Sequence, residues 1–466
     1  MNRPAQLFCL TPIILAACAV SPAADPSTES ELGSRPRPQS GAEPGAAAPQ
    51  PNIVVLFADD AGYSDFGFQP DTAEDMRSLT PHIDSIAAEG AAFRAFYMSA
   101  CVCSPSRAGL MTGRYQQRFG HEKNIPPGYM KGGMDLAEAT LADRLKGAGY
   151  ETALVGKWHL GYPDPYHPNE RGFDWFMGCL QGSRPYLELE DPTPHRVLLR
   201  DRTPTPEGGY VTDRFGDAAV EFIEKEREGP FFLFVSFTAP HGPLQPRPGD
   251  VELPELASIE KKRRRNYAGL VKAMDDNVGK VLAALDRAGV AGETLVLFTN
   301  DNGGQTQTAA VNKPLRGRKG QLYEGGIRVP AALRWPGVVA PGSVIEAPAI
   351  SLDLTPTFLA AAGSAPEPGA ELDGVDLTPA LRGRADGPLA ERSLFWRRSG
   401  SAGPIAARRG RWKLLLNDRS KDPQLFDLLT DASEAEDVAA EHPAVVAELM
   451  AELRAYEAEL MEPLWP

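Results

Sequence analysis

Cysteine is scarce in this chain, five in 466 residues, and that scarcity excludes a disulfide-built scaffold. Cys9 and Cys18 fall in the amino-terminal leader and Cys103 in the motif discussed below, which leaves Cys101 and Cys179 with a single bridge between them as one option. Basic charge is short as well. The formal net charge is −14, which argues against a nucleic-acid partner but not against an anionic sugar, since such a ligand needs a local cationic pocket and not a cationic protein. No apolar run is long enough to span a membrane as a mature helix. Histidine is sparse too, seven in all, so a histidine that directly follows a buried strand carries information.

What is there begins with the leader. Residues 1–18 carry Arg3 and then an apolar run through Leu7, Phe8, Leu10, Ile13, Ile14 and Leu15, the pattern of an export signal. Leu15-Ala16-Ala17-Cys18 resembles a bacterial lipobox, in which Cys18 is lipidated and becomes the mature amino terminus; an ordinary signal cleaved near Ala23 is the alternative. Residues 19–50 are rich in Pro, Ala, Gly and Ser and read as a tether that carries no fold. The expected location is the periplasm or the cell surface, with membrane contact only through a lipid on Cys18.

Four segments share one grammar. Residues 52–58, 152–155, 231–237 and 294–299 are short continuous apolar runs, as in fully buried parallel strands. They are followed at once by Asp59-Asp60, by Gly156-Lys157-Trp158-His159, by Pro240-His241 and by Asn300-Asp301-Asn302-Gly303. Open α/β sheets place their ligand sites at strand carboxyl ends, so these distant residues are expected in one crevice. Helical patterns intervene over residues 80–90, with Thr80 as cap and Pro81 in the first turn, over 136–145, and over 267–285. Beyond about residue 347 the pattern becomes a helix at 354–361, a Pro- and Gly-rich loop, short strands at 393–397, 404–407, 412–416 and 424–426, and a closing helix over 443–460. The reading is an α/β fold: a large mixed, mostly parallel sheet sandwiched by helices over residues 51–347, and a smaller α+β subdomain over 348–466 carrying an antiparallel sheet.

Asp59, Asp60, Asp301 and Asn302 offer hard oxygen donors without sulfur or imidazole, a set suited to calcium or magnesium rather than zinc. Three carboxylates in one crevice repel unless a cation compensates them. Either pair alone is a common turn; at the ends of two strands of one sheet they read as ligands. In Cys103-Ser104-Pro105-Ser106-Arg107, continuing through Gly113, Pro105 suits the first turn of a helix, which sets Cys103 at an amino end that favours an anion.

These segments, with GKWHLG at residues 156–161, PHGP at 240–243, DNGG at 301–304 and LRGRKGQLYEGGIRVP at 315–330, resemble the motifs of the type I sulfatases in order and spacing. The resemblance implies the alkaline phosphatase-like fold and conversion of Cys103 to formylglycine by a formylglycine-generating or anaerobic maturation enzyme. In the family the hydrated aldehyde presents two hydroxyls, one of which, held on the metal, attacks sulfur. By the same resemblance Asp59, Asp60, Asp301 and Asn302 hold one calcium ion beside residue 103, and Arg107, Lys157 and Lys319 face the sulfate oxygens. His241, with Lys319 near it, is the acid for the leaving alcohol, and His159 the base that regenerates the aldehyde. An exported, surface-tethered enzyme meets environmental polysaccharide, and a crevice at strand ends ringed by loops is a pocket rather than an open groove, so the expected substrate is a sulfated carbohydrate, attacked on a terminal or short-chain sugar.

Two other readings stay open at this point. One is a phosphoester or phosphonate hydrolase of the wider alkaline phosphatase superfamily, and the other a catalytically silent surface lipoprotein that binds sulfated glycans. Selectivity is expected from loops 116–131, 162–171 and 182–202. Gln116, Gln117, Arg118, His121, Glu122 and Lys123 stand as possible pocket rim. Arg118, Lys123 and Arg184 are the cations suited to a uronate or a second sulfate.

Overall fold

The computed structural model describes residues 50–384 and 387–465. The leader, the Cys18 lipobox and nearly all of the tether lie outside the described residues.

The strands Thr294–Asn300, Asn52–Ala58, Phe231–Ser236 and Glu151–Lys157 lie side by side in that order and all parallel, at the centre of a ten-stranded sheet. Their residues are buried on both faces, with Glu151 alone partly exposed, as the continuous apolar runs require. Alternation along Asn52–Ala58 feeds two cores. Ile53, Val55 and Phe57 pack with the helices Cys103–Thr112 and Leu141–Gly147 on one face, and Val54, Leu56 and Ala58 with the helices Val211–Ile223 and Lys262–Arg287 on the other. Each fully buried Leu, Val or Phe adds about 1.5–3 kcal/mol of transfer free energy, so the sheet is a rigid floor. Register brings the carboxyl ends level: Ala58 lies opposite Asn300, and both Phe57 and Gly156 lie opposite Ser236.

A second sheet of Ser393–Arg397, Ile405–Arg409, Trp412–Leu416 and Gln424–Asp427 is antiparallel throughout, and the helix Pro443–Glu457 covers it through Leu449 and Leu453. The architecture is thus the α/β one expected.

Several details differ. The helix expected over 136–145 is Leu141–Gly147, because Thr140 and Asp143 form a reciprocal capping box that sets its start, with both bonds at 2.9 Å. Thr80 does not cap the helix Pro81–Ala88. Its hydroxyl accepts from Gly67 N, while Asp275 of the long helix takes the amides of His82 and Ile83. The helix Val211–Ile223 and the strand Trp175–Cys179 were not anticipated. Gly216 interrupts the first, and it is there for contact: a Cβ on it would lie 2.0 Å from Asn277 Oδ1 of the crossing helix. Cys101 and Cys179 form no bridge. Both are free and buried, Cys101 among Tyr97, Tyr115 and Trp396 and Cys179 among Val155, Met177 and Tyr186, in separate clusters.

Candidate active site

Cys103 opens a helix whose ten residues, Cys103–Thr112, are all buried. Extended Val102 precedes it, Pro105 sits in the first turn, and Gly113 ends it in the left-handed conformation at φ 70°. The Cys103 Sγ lies 3.7 Å from Asp59 Oδ1, 3.9 Å from Asp60 Oδ1 and 3.0 Å from Lys319 Nζ. Lys157 Nζ donates to Asp59 Oδ2 at 2.7 Å and Lys319 Nζ to Asp60 Oδ2 at 2.8 Å. Arg107, one turn along the helix from Cys103, donates to Asp301 Oδ2 at 3.0 Å and to Ser236 Oγ at 2.6 Å. His241 Nε2 stands 3.5 Å from Asp60 Oδ2.

Backbone geometry at the strand ends turns these side chains inward. Asp60 and His159 adopt φ of 66° and 62°, a region uncommon for residues other than glycine and concentrated at functional sites. The Asp60 turn is tied down by Asp60 N to Asp301 Oδ1 at 3.2 Å and Ala61 N to Asn300 Oδ1 at 3.1 Å. The His159 carbonyl accepts the Ser104 hydroxyl at 2.7 Å, and His121 Nε2 lies 2.7 Å from the same hydroxyl oxygen. Since that hydroxyl proton goes to His159 O, the imidazole of His121 donates from Nε2. Gly182 backs the His159 ring: a Cβ there would sit 2.4 Å from its Cε1.

Charge is arranged tightly. Asp59, Asp60 and Asp301 face Arg107, Lys157 and Lys319, three anions against three cations in a nearly dry space. Burial, and then the charge of Asp301, raise Asp59 to about 6. Asp60 and Asp301 are held below the usual carboxylate range despite burial, Asp60 chiefly by Lys319 and Asp301 chiefly by Arg107. Burial and the neighbouring carboxylates push the Cys103 thiol up to about 12. Burial, with Lys157 and Arg107 behind it, drives His159 well below the ordinary imidazole value, so its ring is neutral.

The crevice thus brings together Asp59, Asp60, Cys103, Arg107, Lys157, His159, His241, Asp301, Asn302 and Lys319. Ligand atoms of Asp59, Asp60, Cys103 and His241 all lie within 4.8 Å of one another, so His241 belongs to the tightest donor group, a place not foreseen for it. A hard divalent cation fits the residues present. Three carboxylates point at one another, and the Asn302 amide, which donates to Asp60 Oδ1 at 2.8 Å, leaves its own Oδ1 buried without a partner.

The expected rim does not form. Arg118 pairs with Asp373 and Glu459, and Arg184 with Glu207 and two backbone carbonyls. Gln116 donates to Ser99 O, Gln117 to Arg397 O, and Glu122 accepts from Arg397; with His121 they are buried supports and not a solvated loop. Their spacing carries no sign of this for Arg118, Gln117 and Glu122, because their partners Asp373, Glu459 and Arg397 come from the carboxyl-terminal part of the chain. A cavity of about 170 Å³ reaches Cys103, His159, His241 and Lys319, and its outer wall is Asn124, Ile125, Pro127, Tyr162, Gln181, Gly182 and Ser183. Ser236 was missed, Asn300 and Ser104 were given no role of their own, and His121, placed on the rim, instead supports Ser104 from within. Ser236 and Asn300 lie at strand ends, where the same grammar would have found them.

Comparison with known proteins agrees with this geometry. The sulfatase family model matches residues 51–364, and a model described as N-sulphoglucosamine sulphohydrolase, C-terminal, matches residues 318–459. The chain is 35% identical to the N-acetylgalactosamine-6-sulfatase of Homo sapiens over 378 residues, 76% of this chain and 69% of that protein. It is 34% identical to arylsulfatase A of Homo sapiens over 407 residues, 79% of this chain and 75% of that one. Among solved structures, Ps i-CgsB in complex with k-i-k-neocarrahexaose is similar at a TM-score of 0.84 and 34% identity, covering 89% of this chain and 94% of the other. A sheet whose strand ends gather this set of acids, cations and cysteine, matched by that family over most of its length, makes the chain a member of the type I sulfatase family and a sulfatase enzyme.

Proposed function

We propose that this sulfatase removes sulfate from a sulfated carbohydrate through formylglycine formed from Cys103, with one calcium ion held by Asp59, Asp60, Asp301 and Asn302. The observation that carries the reading is the setting of Cys103: a thiol pushed up to about 12 by burial, against two carboxylates and 3.0 Å from Lys319. Left unmodified there, it is a protonated and weak nucleophile. When present, formylglycine and the cation supply an oxygen nucleophile at position 103 and keep it ionised near neutral pH.

The chain's own residues do the rest. Arg107, Lys157 and Lys319 are fixed by their carboxylates before substrate arrives, so they meet the developing charge on the sulfuryl oxygens without reorganisation. His241 Nδ1 lies 2.7 Å from Gly242 O and donates to it, which leaves Nε2 facing the cavity; as an imidazolium beside Asp60 the ring carries a second proton on Nε2, which goes to the leaving alcohol and leaves the ring neutral. His159, neutral and braced by Gly182, is placed to take a proton from residue 103. The relatives' names, an N-acetylgalactosamine-6-sulfatase and a neocarrahexaose complex, support a carbohydrate substrate. The volume of about 170 Å³ supports attack on one terminal sugar unit. We extend the proposal to export, with a lipid on Cys18 and a tether to residue 50 that lets the catalytic body reach its substrate.

The test is peptide mass mapping of protein made beside a maturation enzyme, paired with sulfate release measured on sulfated mono- and disaccharides. Formylglycine at 103 and calcium at one per chain are expected; full activity with unmodified cysteine, or with stoichiometric zinc, overturns the mechanism. Fractionation of the native bacterium decides the anchor, and soluble mature protein beginning near Ala24 overturns it.

A further inference from the structure

The cavity wall divides sharply by charge. At its floor stand Lys319, His241 and His159 beside residue 103. Above the floor the lining side chains are Asn124, Ile125, Pro127, Tyr162, Gln181 and Ser183, and none of these carries a charge. Of the cations expected to serve a second anion, Lys123 does not line the cavity, and Arg118 and Arg184 are committed elsewhere. Arg184 is 2% exposed and bonded to Glu207, and Arg118 is bonded to Asp373 and Glu459. Arg398, which approaches Gly320 beside Lys319, donates to the Gly320 carbonyl at 2.6 Å and does not line the cavity.

The wall has chemistry of its own. Asn124 is oriented by Ser104 N, which donates to its Oδ1 at 2.9 Å and leaves the amide N–H groups for a ligand. The Gln181 and Ser183 side chains, half-buried at the mouth, offer a second amide and a hydroxyl. Pro127, Ile125 and the Tyr162 ring, held rigid by stacking on His195 at 4.6 Å between ring centroids, supply apolar surface. Neutral donors and acceptors facing apolar patches match the hydroxyl groups and C–H face of a pyranose. A carboxylate or second sulfate brought into the same space leaves its water for a wall with no cation to pair it, so its desolvation goes uncompensated.

We infer that the sugar ring whose sulfate is cleaved is otherwise uncharged: a monosulfated neutral hexose or N-acetylhexosamine, not a sulfated uronate and not a ring bearing two sulfates. The inference rests on the sulfatase reading of the floor and concerns only the wall above it. Charge on the next sugar outward, beyond the cavity, is not restricted by it.

The experiment compares kcat/KM of the mature, calcium-loaded enzyme on four classes of compound: monosulfated galactose and N-acetylgalactosamine isomers, a 2-sulfated uronate, a disulfated glucosamine, and an aryl sulfate. At least one monosulfated neutral sugar is expected to exceed both charged sugars by a hundredfold or more. Gln181→Lys and Ser183→Arg, which put a cation on the wall, should narrow that ratio at least tenfold. A charged sugar turned over as well as the best neutral one, with the aryl sulfate also cleaved, overturns the inference and leaves the sulfatase reading standing. No sulfate release from any of the four, from protein with formylglycine at 103, overturns both.

Discussion

At the scale of single residues, the site depends on a few atoms whose partners are fully committed. Asp301 accepts from Arg107 and from Asp60 N, so Asp301→Asn should keep the shape, remove one charge from the cation set and lower calcium affinity at least tenfold by calorimetry, with activity falling in parallel; unchanged affinity removes Asp301 from the ligand list. Gly182→Ala places a methyl against the His159 ring. Because Gly182 is half-buried in a loop, kcat should drop tenfold or more while the thermal midpoint moves little, and an unaltered kcat shows that His159 need not hold its position. His121 gives a pH signature. Burial lowers its imidazole from 6.5 to about 3, so between those values the unfolded chain binds the extra proton and stability falls on acidification, by up to about 1.4 kcal/mol per pH unit. His121→Gln should flatten the fall in thermal midpoint between pH 7 and 5, and an identical slope assigns the acid sensitivity to other groups. At this scale the sequence was legible wherever a residue follows a buried strand, as Asp59, His159, His241 and Asp301 do. It was not legible for Arg118, Arg184 or Glu122. Their charges suit a ligand as well as they suit Asp373, Glu207 or Arg397, and only the folded chain decides between partners so distant in sequence.

At the scale of elements, the antiparallel sheet takes hold of the loop that carries Lys319. Arg398, just past the strand Ser393–Arg397, bonds Gly320 O, and Gly320 N in turn bonds Cys101 O at 2.7 Å. Lys413 of the strand Trp412–Leu416 sits between Glu324 and Glu434 at 2.9 and 2.8 Å, all fully buried, and Arg316 donates to Glu434 O. Two classes of variant follow. Arg398→Met frees the loop beside Lys319 without leaving a buried charge, so KM for the sulfate ester should rise several-fold at nearly constant thermal midpoint. Lys413→Met strands two buried carboxylates, a loss of about 3–5 kcal/mol, and should lower the midpoint measurably in calorimetry. Equal effects of the two on stability would show that the sheet merely packs against the loop. The four central strands and the helix Leu354–Ala361 were readable from apolar runs and periodicity. The helix Val211–Ile223 was not, because Gly216 breaks its pattern for the sake of a crossing with Asn277.

For the molecule as a whole, the proposed metal site makes binding and folding one equilibrium, since its ligands directly follow Asn52–Ala58 and Thr294–Asn300, strands that are neighbours only once the sheet has formed. At a hundredfold excess over its dissociation constant, calcium adds about 2.7 kcal/mol, which for a chain of this length is a rise of about 3 °C in thermal midpoint, reversed by chelator; no shift with calcium would argue against a site of that affinity. The layered architecture was legible because strand and helix patterns alternate along the chain; the cavity wall was legible only as the loops 116–131, 162–171 and 182–202, which do supply Asn124, Ile125, Pro127, Tyr162, Gly182 and Ser183, while which of their residues line it follows from no periodicity. One consequence concerns time. The helix Cys103–Thr112 is buried along its whole length, and Cys103 itself is 2% exposed. A second protein cannot reach a side chain at the bottom of a closed body, so any enzyme that oxidises Cys103 has to meet it while the chain is still open. On the proposed mechanism folding therefore acts as a deadline: chains that close before oxidation become stable, correctly shaped and inert, and the fraction of active molecules is set by a race that ends when the sheet forms.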